Sequence, residues 1–335
     1  MERRLNVALI GCGSFARCMH IPNLKNNGKY RIFSAMDISE TAAREVAEDT
    51  GAKYWTTNVE QVFSDKDVDV VFITTRHDSH AELTIRAAQA GKHILCEKPM
   101  GLSREECRMV AQTIQKAGVK YTVGYNRGMA PLVLKAKNLL ADVTAKRLIY
   151  HRIQAPFPEN SWTHDPKVGG GRFVGEGCHI FDLLCELVPA PPVSIYASGG
   201  TFLDPAKVKV ADSGIITITF ADGSVGTTLI ASAGCGSFPK ESTEIYCNGK
   251  AIWISDFKEM EYCGFEGQDR IKYLLDKTDK GQSLEIDQLA DAILSGGDAP
   301  NGLVKAARAA VISYMVSESI ASGKPIAISK KDFEF

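Results

Sequence analysis

The sequence predicts an α/β protein in two parts: an N-terminal doubly wound parallel sheet over residues 1–125, and a C-terminal α+β domain with a large, mostly antiparallel sheet over residues 126–335. Three observations carry this. Strand and helix signals alternate through the first third of the chain, the pattern of a parallel sheet with crossover helices. Beyond it, strand signals follow one another without helices between them. A length of 335 residues fits two domains, and the chain shows no internal repeat and no low-complexity linker.

The first strand is Leu5 to Ile10, a nearly continuous apolar run as expected of a strand buried on both faces. The turn Gly11-Cys12-Gly13-Ser14-Phe15-Ala16 follows it directly and opens a helix that Pro22 should kink. Arg31 to Met36 is a second strand, ending at Asp37. Ser39 caps the next helix and Gly51 closes it. Val68 to Thr74 is a third strand, and Ser79-His80-Ala81-Glu82 matches a capping box for a helix that Gly91 ends. His93 to Cys96 is a fourth strand. Ser103 to Glu106 is a second capping box, and Cys107, Val110, Ala111 and Ile114 line one face of the helix it starts. Lys120 to Gly124 is the fifth strand, and the boundary falls near Tyr125. In the second part Leu148–Gln154, Val193–Ala197, Gly214–Phe220, Val225–Ile230, Thr243–Cys247 and Ala251–Ser255 read as strands. Ala221-Asp222-Gly223-Ser224 is a hairpin turn between two of them. Two helices close the pattern, Ile286 to Leu294 and Val304 to Ser322, the last stopped by Gly323.

Composition narrows the function classes. With 39 Lys and Arg against 40 Asp and Glu, the net charge of −1 gives no overall field toward nucleic acid or an anionic membrane. No apolar run approaches the about 18 residues of a membrane span. The amino terminus runs straight into a strand with no secretory segment, so a soluble, cytoplasmic protein is expected. Nine cysteines without a C-x-x-C pair read as reduced thiols and point to no metal site.

The glycine-rich turn carries the first chemistry. It follows a strand, opens a helix, and has an acid, Asp37, 24 residues after Gly13. That context makes it a Rossmann dinucleotide site: Gly11 permits the tight turn, Gly13 and the backbone of Ser14 and Phe15 approach the pyrophosphate, and Ala16 allows close helix packing. Asp37 is placed for ribose hydroxyls and repels a 2′-phosphate, and Ile38 beside it adds no cation, so NAD is favoured with NADP left open; Asp37 as a mere helix cap is the competing reading. Thr74, Thr75, Arg76, His77 and His80 leave the carboxyl end of the third strand, where ligands bind in open α/β sheets; for His80 a plain place in a helical first turn is equally open. Glu97-Lys98-Pro99 leaves the fourth strand in the same way, with Lys98 able to polarise a substrate oxygen or simply be solvated, and the Lys98–Pro99 bond read as trans.

Taken together, the glycine turn, Asp37, the stretch Ala87 to Pro99, Gly124-Tyr125-Asn126-Arg127, Trp162 to Pro166, Gly169 to Gly171 and Gly177 to Asp182 resemble the Gfo/Idh/MocA oxidoreductases over nearly the whole chain. The resemblance implies that Lys98 contacts substrate hydroxyl and cofactor, that His179 is the general acid/base, and that Asp182, which shares a helix face with it, binds a substrate hydroxyl. It places Asn126 and the backbone of Trp162 and Thr163 near the nicotinamide, with Glu97 among the cofactor-binding residues. It implies a sugar, polyol or nucleotide-sugar alcohol as substrate, and a homodimer or homotetramer formed by the open face of the second sheet; Ile216, Ile218 and Phe220 are compatible with that face but could equally face the helices. Arg152, Trp162 and His164 are further substrate contacts by position. One position departs from the pattern: Gly175 stands where many members carry an aspartate, and the adjacent Glu176 is either structural or substrate-binding. Two other readings stay open, a redox glycosidase that retains NAD and a dinucleotide-sensing regulator without catalysis.

Overall fold

The computed structural model describes residues 3–265 and 270–335; Met1 and Glu2, which belong to the amino-terminal reading, lie outside them. The chain divides into two compact units, Met1–Tyr125 with Gln282–Ala307 and Phe335, and Asn126–Gly281 with Arg308–Glu334.

The first unit is a parallel sheet alternating with helices: β1 (Leu5–Ile10), α1 (Ile21–Asn26), β2 (Tyr30–Met36), α2 (Glu40–Thr50), β3 (Tyr54–Thr56), α3 (Val59–Ser64), β4 (Val70–Ile73), α4 (His80–Gln89), β5 (His93–Cys96), α5 (Arg104–Ala117) and β6 (Tyr121–Val123). The order is β3-β2-β1-β4-β5-β6, so the strand order reverses between β1 and β4. That reversal opens a crevice at the strands' carboxyl ends, where the glycine turn lies. The sequence reading missed the short β3 and α3. It also placed one helix after the turn, whereas residues 16–20 form a π-turn and α1 restarts with Pro22 in its first turn, where a missing N–H costs nothing. Ser39 caps α2 and Gly51 closes it in the left-handed conformation, as expected. Ser79 does not cap α4; its hydroxyl donates to the Arg76 carbonyl across a 3-10 turn and lies 2.7 Å from the Thr75 hydroxyl. Ser103 accepts the Glu106 N–H, while the Glu106 carboxylate takes the N–H of Leu102, one residue ahead of the cap.

The second unit holds α6 (Pro131–Leu139), β7 (Leu148–Gln154), α7 (Cys178–Leu187), β8 (Pro192–Gly200), β9 (Ser213–Phe220), β10 (Val225–Ala231), β11 (Glu241–Cys247), β12 (Lys250–Ser255), β13 (Glu259–Cys263) and β14 (Ile271–Leu274). After α8 (Gln282–Ser295) and α9 (Leu303–Ser322), β15 (Ile326–Ala327) completes a nine-stranded sheet in the order β14-β13-β12-β11-β7-β10-β9-β8-β15. Among the described residues of this sheet, only β7 and β10 pair in parallel. Helix α8, which periodicity alone left with the second part, belongs to the first unit: Ile286, Leu289 and Ala290 join the core of β1, β2 and β4, and the Tyr30 hydroxyl donates to the Ile286 carbonyl at 2.9 Å. An apolar helix face records that it must be covered, not which sheet covers it.

Helix α7 and the later part of α9 cover one face of the large sheet. A Cβ on Gly226 of β10 would meet Leu184 of α7, and Ser319 of α9 accepts the Ala197 N–H of β8. Strand alternation sends Ile149, His151 and Ile153 to that covered face, and Leu148, Tyr150 and Arg152 to the other.

Candidate active site

At the first unit's crevice the fold dictates one glycine and leaves another free. Gly11 has φ +98°, and a Cβ there would lie 2.8 Å from the Thr74 backbone, so no other residue fits without shifting β1 from β4. A Cβ on Gly13 would meet nothing within 4 Å. Gly13 is therefore not demanded by packing; its bareness keeps space open beside the turn, the cradle a pyrophosphate needs. Ala16 is fully buried beneath the turn and Phe15 is partly exposed above it.

Asp37 does more than cap. One carboxylate oxygen accepts the Cys12 N–H at 2.7 Å and the other accepts the Ser39 N–H at 2.9 Å, tying the glycine turn to the start of α2. Each oxygen keeps a further lone pair for a ribose hydroxyl. Ile38, beside it, is 92% exposed, an apolar surface suited to a flat ring. Burial first, then the Asp37 carboxylate, pushes the Cys12 thiol up to about 12, so it is no nucleophile. Thr74 donates to the Gly11 carbonyl at 2.6 Å and holds the turn from the β4 side.

The loops after β4 and β5 are braced by two histidines. Both His80 ring nitrogens face backbone carbonyls, Pro99 O at 2.9 Å and Thr75 O at 3.2 Å, and burial lowers the ring's pKa. The expectation that His80 contacts the cofactor is corrected on this point: its polar atoms are occupied by the protein's own backbone. His77 is buried beside it, ring centroids 5.6 Å apart. His20, between the glycine turn and α1, is buried and bonded to Glu97 at 2.8 Å. Burial pushes the Glu97 carboxyl up, but His20 and the charge of Lys98 hold it below the usual carboxylate range. Glu97 is thus a buried anion between His20 and the loop, and its neighbour Lys98 is half-buried at the strand's carboxyl end. The Lys98–Pro99 bond is cis, against the trans expectation.

In the second unit Asn126 is buried and its amide donates to the Lys280 carbonyl at 2.7 Å, a structural bond that the expected position near the nicotinamide did not foresee. Trp162, Thr163 and His164 form a 3-10 turn, with the Thr163 carbonyl taking the Gly171 N–H at 2.8 Å. His164 is buried with its ring edge-on to Phe157 at 5.2 Å. A π-turn over Phe173–Gly177 leads into α7, which carries His179 and Asp182 one turn apart, both buried, with Arg308 of α9 at 4.0 Å from the Asp182 carboxylate. Glu176 is ion-paired to Arg172 at 2.8 Å and Lys240 at 2.7 Å. Burial raises its carboxyl, but those two cations hold it below the usual range. Arg152 is corrected as a substrate contact: it lies on the open face of the sheet, its guanidinium over Phe238 at 4.5 Å, on the side away from α7. Arg172 and Lys240 were not singled out in the sequence, because a lone arginine and a lone lysine carry no motif; only folding brings them to one carboxylate. Among the described residues no group of three or more His, Cys, Asp or Glu is arranged to hold a metal.

Two family models match the chain, one for an oxidoreductase family with an NAD-binding Rossmann fold over residues 5–125 and one for the GFO/IDH/MocA C-terminal domain over residues 135–252. The chain belongs to the Gfo/Idh/MocA oxidoreductase family. It is 24% identical to the uncharacterized oxidoreductase YrbE of Bacillus subtilis, over 98% of each chain. It is 25% identical to the myo-inositol 2-dehydrogenase of Thermotoga maritima, over 66% of this chain and 67% of that one. Among solved structures, levoglucosan dehydrogenase in complex with NADH and levoglucosan matches with a TM-score of 0.87 at 21% identity, covering 97% of this chain and 99% of that one. The family's NAD-binding domain coincides with the sheet whose crevice holds Gly11, Gly13 and Asp37.

Proposed function

We propose that this oxidoreductase oxidises, reversibly, a secondary alcohol of a sugar, polyol or nucleotide sugar, with NAD preferred over NADP. The observation that carries the reading is the presence, in a chain with an NAD-binding first unit, of a half-buried lysine leaving β5 and a buried histidine on α7. The names of the inositol and levoglucosan dehydrogenases among its relatives favour the same substrate class. Preference for NAD rests on the Asp37 carboxylate, which would repel a 2′-phosphate.

Gly13, Ser14 and Phe15 offer backbone N–H groups to the pyrophosphate, Gly11 shapes the turn with its own N–H given to the Met36 carbonyl at 2.8 Å, and Asp37 takes the ribose hydroxyls. The bound nicotinamide supplies the hydride acceptor. His179 accepts the hydroxyl proton, a task for which an imidazole, titrating at about 6.5, is suited at neutral pH. Lys98 donates to the same oxygen and stabilises the negative charge that develops there. Asp182, held near Arg308, accepts from a neighbouring substrate hydroxyl.

A panel of polyols, free sugars and nucleotide sugars, followed by NADH absorbance with NAD and with NADP, tests the reading. Turnover with NADH accumulation is expected, and Lys98→Ala or His179→Ala should lower the single-turnover rate by about 10²- to 10⁴-fold. An unchanged rate in either variant removes that residue from its role. Product release without NADH accumulation would favour the redox glycosidase, and no turnover of any compound the non-catalytic regulator.

A further inference from the structure

The ion pairs around α7 are unbalanced. Arg172 is 2% exposed, and although Glu176 lies 2.8 Å from one Nη, neither Nε nor the other Nη meets a hydrogen-bond acceptor among the described residues. Lys240 pairs with the same Glu176 at 2.7 Å. Two cations thus share one carboxylate. The next layer repeats the excess: the buried Glu241 carboxylate receives Arg127 through two bonds of 3.0 and 3.1 Å and also takes Lys280. Beside Arg172, Phe157 carries its guanidinium at 4.3 Å on the ring face and His164 at 5.2 Å on its edge. His164 is 5% exposed, and neither of its ring nitrogens has a hydrogen-bond partner among the described residues.

Buried donors without acceptors are costly, and an anion bearing several oxygens would supply the acceptors that Glu176 alone does not. A guanidinium is the group of choice for a carboxylate or phosphate, because its planar fork matches two oxygens. Gly175, between Arg172 and Glu176, contributes no carboxylate that would repel such a ligand. Arg172 stands at the start of the π-turn over Phe173–Gly177 and His179 in the first turn of α7, so Arg172 lies within about two helical turns of His179, a span that a hexose derivative bridges.

We propose that Arg172 and Lys240, with His164 as a further donor, bind an anionic oxygen group of the substrate, a carboxylate or a phosphate, so that this enzyme acts on an acidic sugar derivative rather than a neutral one. The inference rests on the proposed function in taking the α7 face as the substrate's place.

Thermal unfolding and NADH formation, each measured with D-glucuronate, D-glucose 6-phosphate, D-glucose and myo-inositol in the presence of NAD, test it. An acidic compound should raise the unfolding temperature where the neutral ones do not, and should be turned over with kcat/KM at least about tenfold higher, as one charge-assisted pair provides. Glucuronate against glucose 6-phosphate separates carboxylate from phosphate. Lys240 is 44% exposed and open to substitution. Lys240→Gln should reduce the acidic-to-neutral ratio about tenfold, and Lys240→Arg should keep it. Neutral sugars turned over as well as acidic ones would overturn the proposal while leaving the dehydrogenase reading intact. Lys240-dependent binding of an acidic sugar without NADH formation would support the anion site and overturn the reaction instead. If neither acidic compound shifts unfolding or is turned over, the anion site is overturned.

Discussion

At the residue scale, the two glycines of the first turn have different reasons to be glycine, and one experiment separates them. Gly11 is required by the backbone, with positive φ and Thr74 at 2.8 Å from any added Cβ. Gly11→Ala should destabilise the fold by at least about 2 kcal/mol, measured by denaturant unfolding without cofactor. Gly13 faces open space. Gly13→Val should leave that unfolding free energy nearly unchanged and weaken NAD binding at least about tenfold by calorimetry. Equal loss of stability in both variants would refute this division. The turn and Asp37 were readable from sequence because their spacing recurs wherever a strand, a tight turn and a helix meet a dinucleotide. His20 and Arg172 were not: His20 acts through Glu97, distant in the chain, and the Phe157 ring meets the Arg172 guanidinium only once the chain has folded. His80 was misjudged for the same reason, its carbonyl partners being set by two loops that only the folded sheet brings together.

At the element scale, strands β7 and β11 bury a charged cluster between the sheet and its helices. His151 of β7 has Nδ1 2.9 Å from Thr243 Oγ1, and its Nε2 lies 3.8 Å from the Glu241 carboxylate. Burial, reinforced by Arg127 and Lys280, lowers the His151 pKa to about 4 despite the pull of Glu241. Below its ordinary value of 6.5 the unfolded chain binds a proton that the folded chain refuses until about 4, so stability falls as pH drops through that window. The loss is on the order of 3 kcal/mol. Glu241, whose carboxyl is held low by the same cations against the effect of burial, adds its own loss only below the ordinary carboxylate value of 4.5. His151→Gln should flatten, without abolishing, the fall in unfolding free energy between pH 6.5 and 4, because His80 shifts in the same direction. An unaltered slope would show that His151 titrates normally. Most strands of this sheet were readable from alternation, including all of β7, yet β13, β14 and β15 were missed. Glu259–Cys263 does alternate, but runs of five, four and two residues are too short to stand out, and pairing with neighbouring strands is what makes them strands.

For the whole molecule, the open face of the large sheet sets the remaining question of assembly. Alternation left Ile216, Ile218 and Phe220 open to an oligomer contact or to the helices, and all three are buried on the helix side. A one-residue step in a strand reverses the face, so the residues presented outward are Ile215, Thr217 and Thr219. Around them the same face exposes Tyr196 of β8, Leu148 of β7 and Tyr246 of β11, with Leu148 and Tyr246 directly opposed in register. An antiparallel sheet tolerates one wet face, but that face is ordinarily polar. Here Ile215 is 53% exposed and Leu148 61%, and burying such a side chain is worth about 1.5–3 kcal/mol. A contact between two copies through this face is self-complementary, so each apolar residue counts twice. The protein is therefore expected to be a homodimer or homotetramer by light scattering at micromolar concentration. Ile215→Lys should shift it toward the single-chain mass while leaving the circular dichroism of the fold unchanged. A single-chain mass for the unaltered protein would refute the assembly, and an Ile215→Lys protein that keeps its full mass would place the contact on another surface.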